Sequence, residues 1–235
     1  MLMANELYHV FQPILNINKL KPIGFEALIR SKVLPNPASI FRMAKESGQL
    51  YEMDCLSIRN AINTYSSNGY TSKEGKLFLN ILPSTILNKS FLPFIVNLVK
   101  DHYVREQEIV LEISESEKIQ DFTTFMKRIT FLKKLGFQIA LDDAGSGYSD
   151  LKSFIELEPH YLKLDRYFAK GLSFCHKKVE LIRSAKKLCD AFNCTIIIEG
   201  IETEEDLKLV RTIGINYVQG YLLGKPSPLK SLVLA

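Results

Sequence analysis

Short apolar runs alternate with longer amphipathic stretches along this whole chain. The runs are rich in β-branched and aromatic residues, as buried strands are. Tyr8–Leu15 and Lys21–Arg30 read as the first two strands, and Asn16-Ile17-Asn18-Lys19 between them reads as a hairpin turn. The first strand is therefore expected antiparallel to the second. Helices are predicted over Pro37–Ser47 and Met53–Tyr65, then a strand at Leu77–Ile81 and a helix from Pro83 to about His102. A strand follows at Ile109–Ile113, then a helix from Lys118 to Leu135 closed by Gly136, then a strand at Phe137–Leu141. A loop over Asp142–Asp150 leads to a short helix before His160. The remaining strands are Tyr161–Leu164, Thr195–Ile198 and Ile215–Val218. Between them lie helices at Lys177–Phe192 and from Thr203 or Glu204 to Ile213.

Strands that alternate with helices pair in parallel, and about eight of them predict a closed (β/α)8 TIM-like barrel with its first strand antiparallel. The 235 residues suit a single domain over 1–235. No internal repeat, linker or low-complexity stretch divides it.

Composition narrows the class. The chain is 46% apolar and 24% charged, ordinary for a globular protein, and its net charge of +4 is no nucleic-acid signature. No DNA or RNA polymer is expected as a partner. The longest apolar runs are strand-length, and the start carries no signal-peptide pattern, so no membrane association is expected. Cys55, Cys175, Cys189 and Cys194 form no C-x-x-C pair and read as reduced thiols of a cytoplasmic protein.

The chemistry lies where the apolar runs end. Glu26, Asn80, Glu112, the pair Asp142-Asp143, Lys163, Glu199 and Gln219 each stand in or just after a predicted strand. Buried charges are costly unless paired or bound to metal. Any one of these residues alone would serve as a helix cap or ion-pair member. One per strand along a chain implies a common site, and in a β/α barrel that site lies at the C-terminal strand ends. Carboxylates and amides without Cys or His suit Mg2+ or Mn2+. Adjacent carboxylates repel, and cations between them relieve this; an Asp that bridges two ions builds a two-metal centre for phosphoryl chemistry. Lys163 could orient the attacking water or balance phosphate charge. No H-E-x-x-H, G-x-S-x-G or Walker loop is present.

These residues also carry a resemblance. Glu26-Ala27-Leu28 is preceded by Phe11-Gln12-Pro13 and followed by Arg30. Leu111-Glu112-Ile113-Ser114-Glu115 and Asp142-Asp143-Ala144-Gly145-Ser146-Gly147-Tyr148-Ser149 come next. Lys163-Leu164-Asp165, Glu199-Gly200-Ile201-Glu202 and Gln219-Gly220-Tyr221 complete the series. In this order and spacing the chain resembles the EAL-domain family of cyclic di-GMP phosphodiesterases along nearly its full length.

The resemblance implies hydrolysis of cyclic di-GMP to linear pGpG with Mg2+ or Mn2+. By similarity, Glu26, Asn80, Glu112 and Asp142 hold one ion, and Asp142 bridges to a second with Asp143. Glu199 is a second-metal ligand or the general base, Lys163 helps hold the water, and Gln219 bonds water or ligand. Catalysis is assigned to Glu199, Lys163 and Glu26. Gln12, Leu28, Arg30 and Pro226 take the substrate-contacting positions, with Gln219 beside them; Arg30 suits a phosphate through its planar fork. Glu115 supports the loop after Asp143, and Glu202 is the second acid of the Glu199 motif, both orienting ligands from behind.

Related domains dimerise through the region after the Asp pair, so a homodimer is expected. This chain departs from the family pattern at Ala144, where Phe is usual, at Ser146, Asp150 and Ile198. None of these removes a ligand. The cyclase and sensory modules that often accompany the domain are missing from the sequence. Control would then fall to expression, oligomerisation or a separate regulatory protein, unless the chain is a fragment. The alternative reading is an inactive cyclic di-GMP receptor or a regulatory interaction module.

Overall fold

A computed structural model describes residues 6–71, 73–113, 117–144 and 151–231. The chain opens with β1 (Leu7–Asn16) and β2 (Lys21–Ser31), followed by α1 (Pro37–Glu46) and α2 (Leu50–Ser67). Next come β3 (Lys76–Ile81), α3 (Pro83–Leu87), α4 (Phe91–Asp101), β4 (Ile109–Ile113) and α5 (Phe122–Leu135). Then follow β5 (Gln138–Ala144), α6 (Leu151–Leu157), β6 (Tyr161–Leu164), α7 (Arg166–Ala169) and α8 (His176–Ala191). The last elements are β7 (Thr195–Ile198), α9 (Glu204–Ile213) and β8 (Tyr217–Val218). The eight strands close a barrel in chain order.

The predicted reversal of the first strand is present. β1 runs antiparallel to β2 from Leu7 opposite Ser31 to Asn16 opposite Lys21, and antiparallel to β8 through Leu15 and Val218. Asn16 builds the hairpin turn: its Oδ1 accepts from the backbone N–H groups of Asn18 and Lys19, each at 3.0 Å. All other neighbouring strands pair in parallel.

Four local expectations need correction. The helix expected from Pro83 to His102 is two helices. Asn88 is extended (φ −68°, ψ 134°) and its Oδ1 accepts from the Ser90 N–H at 2.9 Å, an Asx turn that competes with helix continuation. α5 starts at Phe122 and not Lys118, because Asp121 caps it by accepting from the Thr124 N–H at 3.0 Å. β5 continues through Asp142-Asp143 to Ala144, where a loop was expected. The single turn α7 was not anticipated; Asp165 caps it by accepting from the Tyr167 N–H at 2.8 Å.

Outward-facing strand residues such as Leu79, Leu111 and Ile139 pack with Ile58, Ile62, Ile95 and Ile129 of the surrounding helices. Each such buried side chain contributes about 1.5–3 kcal/mol. Inside the barrel, a separate apolar layer forms from Ile14, Phe78, Val110, Ala140, Tyr161 and Ile197. Gly24 makes room for it: a Cβ there would lie 2.4 Å from the Phe78 ring. Below this layer, Lys76 Nζ donates to Gln138 Oε1 at 2.9 Å, and the Tyr161 hydroxyl donates to the same oxygen at 3.0 Å. The barrel is thus a packed core and not a channel. No helix among the described residues is long and apolar enough to cross a membrane.

Candidate active site

Side chains on a strand alternate faces, so residues two apart share a face. Six strands exploit this in one way. Each inward apolar residue is followed two positions on by a polar one: Phe78 by Asn80, Val110 by Glu112, Ala140 by Asp142, Tyr161 by Lys163, Ile197 by Glu199, and Tyr217 by Gln219. On β2 the pair is Gly24 and Glu26. On β1 the order reverses to Gln12 then Ile14, as its antiparallel direction requires. The polar members form a ring directly above the apolar layer.

Lys163 is the centre of that ring and is 1% exposed. Its Nζ lies 2.6 Å from Glu112 Oε1, 2.7 Å from Glu199 Oε1, 2.8 Å from Asp142 Oδ1 and 3.4 Å from Glu26 Oε2. Amides orient Glu26: Asn80 Nδ2 donates to its Oε1 at 3.1 Å, and Gln219 Nε2 to its Oε2 at 2.8 Å. Gln219 Nε2 also lies 3.2 Å from Gln12 Oε1, and Gln12 Nε2 donates to the Gly224 carbonyl at 3.1 Å. Gly220 lets the chain beyond Gln219 run against Ile201, where a Cβ would stand 2.1 Å from the carbonyl oxygen.

One ammonium does not balance this many acids. Burial, and then the charges of Glu26 and Asp142, push Glu112 well above the usual carboxylate range despite its contact with Lys163. Burial likewise raises Glu199 to about 8, with Asp142 and Glu26 adding to it against the pull of Lys163. Asp143 is pushed up to about 6 by burial and by Asp142. For Lys163, burial opposes the charge, but Asp142, Glu112, Glu199 and Glu26 outweigh it and hold the ammonium protonated well above its ordinary range.

The Asp pair shows how the backbone places two adjacent carboxylates at one site. In a regular strand they would face opposite sides. Here the β5–β6 register shifts between Leu141 and Ala144, and Asp143 takes a left-handed conformation with φ 52°. This bulge breaks the alternation. Carboxylate oxygens of Asp142, Asp143 and Glu199 come within 4.8 Å of one another.

The donor set fits a hard divalent cation. Those three carboxylates offer a compact oxygen cluster, and Glu112 Oε2 is buried with no hydrogen-bond partner. A compact cluster of carboxylate oxygens beside a buried carboxylate oxygen that lacks a donor is what Mg2+ or Mn2+ would satisfy.

A cleft of about 460 Å³ opens beside the ring. Glu26, Leu28, Asn80, Asp142, Asp143 and Glu199 line one end. Gln12, Arg30, Gln219 and Pro226 do not line it. Gln12 and Gln219 sit in the buried amide chain described above. Pro226 adjoins Ser227, whose backbone pairs with Phe11 beside Gln12. Arg30 donates to the Ile29 carbonyl at 2.8 Å. Glu202 is exposed and bonds to none of the ring residues among the described residues, so the expected orienting contact is not made. Glu115 and the loop of residues 145–150 lie outside the described residues.

Sequence reasoning missed the other end of the cleft, lined by His9, Asp54, Ser57 and Phe41. Asp54 accepts from the Leu82 N–H at 3.0 Å, and burial raises its carboxyl to about 7. The available signal was a charged residue on the buried face of a predicted helix.

The EAL domain family matches residues 1–226. The probable cyclic di-GMP phosphodiesterase PdeA of Escherichia coli (strain K12) is 33% identical over 158 residues, 67% of this chain and 22% of that protein. The cyclic di-GMP phosphodiesterase PdeB of Shewanella oneidensis is 30% identical over 233 residues, 97% of this chain and 27% of that protein. The chain thus spans about a quarter of the length of these curated relatives. Among solved structures, the EAL enzyme Bd1971 bound to cAMP and cyclic di-GMP superposes with TM-score 0.88 at 26% identity, over 96% of this chain and 63% of that one. A manganese and cyclic di-GMP complex of Klebsiella pneumoniae BlrP1 gives TM-score 0.87 at 25% identity, over 96% of this chain and 57% of that one. This chain belongs to the EAL domain family.

Proposed function

We propose that this chain hydrolyses cyclic di-GMP to linear pGpG and so lowers the level of that messenger. One observation carries the reading: strand-end carboxylates converge on one buried ammonium in a member of a family whose relatives are named for this activity. The similar BlrP1 structure holds manganese and cyclic di-GMP, which supports Mg2+ or Mn2+ as the metal. A single unit over 1–235 is part of the proposal, and the closed barrel supports it.

In this reading Glu26, Asn80, Glu112 and Asp142 would hold one ion. Asp142 and Asp143 would hold a second, with Glu199 as a further ligand or as the base. Bound divalent cations supply charge neutralisation at the phosphate and acidity to water. The residues do the rest. Lys163 holds the attacking water or offsets developing negative charge. Glu199, when it is the base, would take the water's proton from its place in the ring beside Lys163 at 2.7 Å. The new bond forms from water oxygen to phosphorus, the bond from phosphorus to the ribose 3′-oxygen breaks, and the departing 3′-oxygen is protonated from solvent to the hydroxyl. Gln12, Leu28, Arg30, Gln219 and Pro226 contact the substrate, Gln219 also fixing Glu26.

A homodimer through the face around α6 belongs to the same reading. Ile155 and Phe192 stand 55% and 52% exposed there, with the Phe192 ring edge-on to Phe154 at 5.9 Å. A separate regulatory protein and a cytoplasmic location complete it, the latter supported by four free cysteines. The test is chromatography of cyclic di-GMP incubated with the protein and Mg2+ or Mn2+, with EDTA as control. A metal-dependent pGpG peak is expected. Retention of intact cyclic di-GMP without product would assign the chain to the receptor class instead. Sedimentation at increasing concentration tests the dimer.

A further inference from the structure

Two strands rise past the polar ring. β3 pairs with β2 only through Gly24, Phe25, Glu26 and Ala27, and β8 pairs with β1 only through Leu15 and Asn16. The β1–β2 pairing runs on to Leu7 opposite Ser31. Because β1 is antiparallel, its first half and the last half of β2 stand together beyond Gln12 and Glu26. They form a two-stranded ribbon on the side of the barrel that carries the ring.

Burial tells the two faces of this ribbon apart. Leu7, His9 and Ile29 are buried against helices: Leu7 and Ile29 pack with Ile40 of α1, and His9 Nε2 meets Ser57 Oγ of α2 at 3.1 Å. The other face continues the line of Gln12 and Glu26, since residues two apart on a strand share a face. It carries Val10 opposite Leu28 and then Tyr8 opposite Arg30. Exposure grows along it, from buried Gln12 and Glu26, through half-buried Val10 and Leu28, to Tyr8 at 45%. Tyr8 stands four residues, about 14 Å of strand, beyond Gln12.

This face has a particular chemistry. Its four positions hold an aromatic ring, two aliphatic side chains and a guanidinium, and none holds a carboxylate. An aromatic ring open to water stacks on a nucleobase. A guanidinium beside it suits the attached phosphate. Resting on cyclic di-GMP as the ligand of the ring, we propose that Tyr8 stacks on one guanine base of that ligand. Val10 and Leu28 supply the apolar surface between that base and the phosphodiester over the carboxylates. Tyr8 contributes affinity and not base choice, because every base presents a π-face. It takes no part in bond breaking.

The chain has no tryptophan, so Tyr8→Trp places a single indole at the stacking position. Its emission should fall as cyclic di-GMP saturates the protein, since a stacked base quenches indole. Calorimetry with Ca2+ present gives the dissociation constants. Tyr8→Ala should weaken cyclic di-GMP binding about tenfold, within the range one stacked base contributes. Tyr8→Phe keeps the ring and should bind within about twofold of the wild type. Tyr8 is half-exposed, so the urea midpoint of Tyr8→Ala should hold; if that variant fails to fold, the indole reporter decides. Unweakened binding in Tyr8→Ala, equal loss in Tyr8→Phe, or unchanged indole emission at saturation would each overturn the stacking role, whatever the wild type hydrolyses. Binding without hydrolysis would sink the phosphodiesterase reading alone, because the dissociation constants still decide the role of Tyr8. A wild type that binds no cyclic di-GMP overturns both.

Discussion

The barrel interior holds two layers that share the same strands and differ in every other respect. Ile14, Phe78, Val110, Ala140, Tyr161 and Ile197 form the lower one, and Glu26, Asn80, Glu112, Asp142, Lys163, Glu199 and Gln219 the upper. They are two residues, about 7 Å of strand, apart. The lower layer removes apolar surface from water and stabilises the fold. The upper layer buries charges whose desolvation exceeds what one ammonium returns, as the raised values of Glu199 and Asp143 show. The lower layer and the helix-packed core therefore hold the strands in a position that the upper ring, left to itself, would push apart.

The largest expected effect breaks this arrangement at its centre. Lys163→Met should destabilise the protein by about 3–5 kcal/mol in EDTA at pH 8, since it leaves buried carboxylates without their counter-charge. Turnover should be lost, and Mg2+ should restore part of the stability. An unchanged urea midpoint would show that the ammonium does not hold the ring. Phe78→Ala makes the matching cut below. Its cavity should cost about 3–5 kcal/mol without changing how stability depends on pH. A changed pH profile would mean that the layers are not separable.

Glu26→Ala should separate function from stability. It should lower turnover more than about a hundredfold through loss of a metal ligand. Circular dichroism should stay the same and the urea midpoint should hold or rise, because one acid leaves a crowded ring. Undiminished activity in a folded variant would remove Glu26 from the metal site.

Much of this contrast is readable along the chain. The alternation of β-branched runs with amphipathic stretches gives the strands, and the Asn16 turn gives the reversed β1. The acid or amide at each strand end stands out because buried strands seldom carry one. What escapes is set by contacts distant in sequence. β5 extends through Asp142-Asp143 because β6 pairs with it beyond a bulge, which no local propensity reports. His9 looks like an ordinary strand residue until α2 brings Ser57 against it, 48 positions away. Glu202 follows a motif and yet points to water.

Titration should sharpen the comparison with a smaller effect. Glu199 at about 8, Asp54 at about 7 and Asp143 at about 6 lie above their unfolded values, so between the unfolded and folded pKa the native state binds more protons. Stability in EDTA should then be greatest near pH 4–5, fall as pH rises, and level off above about pH 8. Saturating Mg2+ should flatten the slope and release protons on binding, because the carboxylates must ionise to ligate. Urea midpoints at pH 5 and pH 8, with and without Mg2+, measure this. Equal midpoints in EDTA would mean that the ring carries no excess negative charge.

The smallest expected effect concerns the bulge itself. Asp143 holds a left-handed backbone that Asn tolerates as well as Asp does, so Asp143→Asn keeps the β5 geometry and removes only the charge. Asp143 is partly open to water, so the stability gained at pH 8 in EDTA should be modest, about 1 kcal/mol after allowance for screening. The gain should vanish near pH 4, where the native carboxyl is already protonated. Turnover should fall in the same variant, since a neutral amide is a weaker partner for a divalent cation. A gain that persists at pH 4 would trace the penalty to the backbone. A gain confined to high pH, with loss of turnover, would show that the second carboxylate of the pair is kept for its charge at the expense of the fold beneath it.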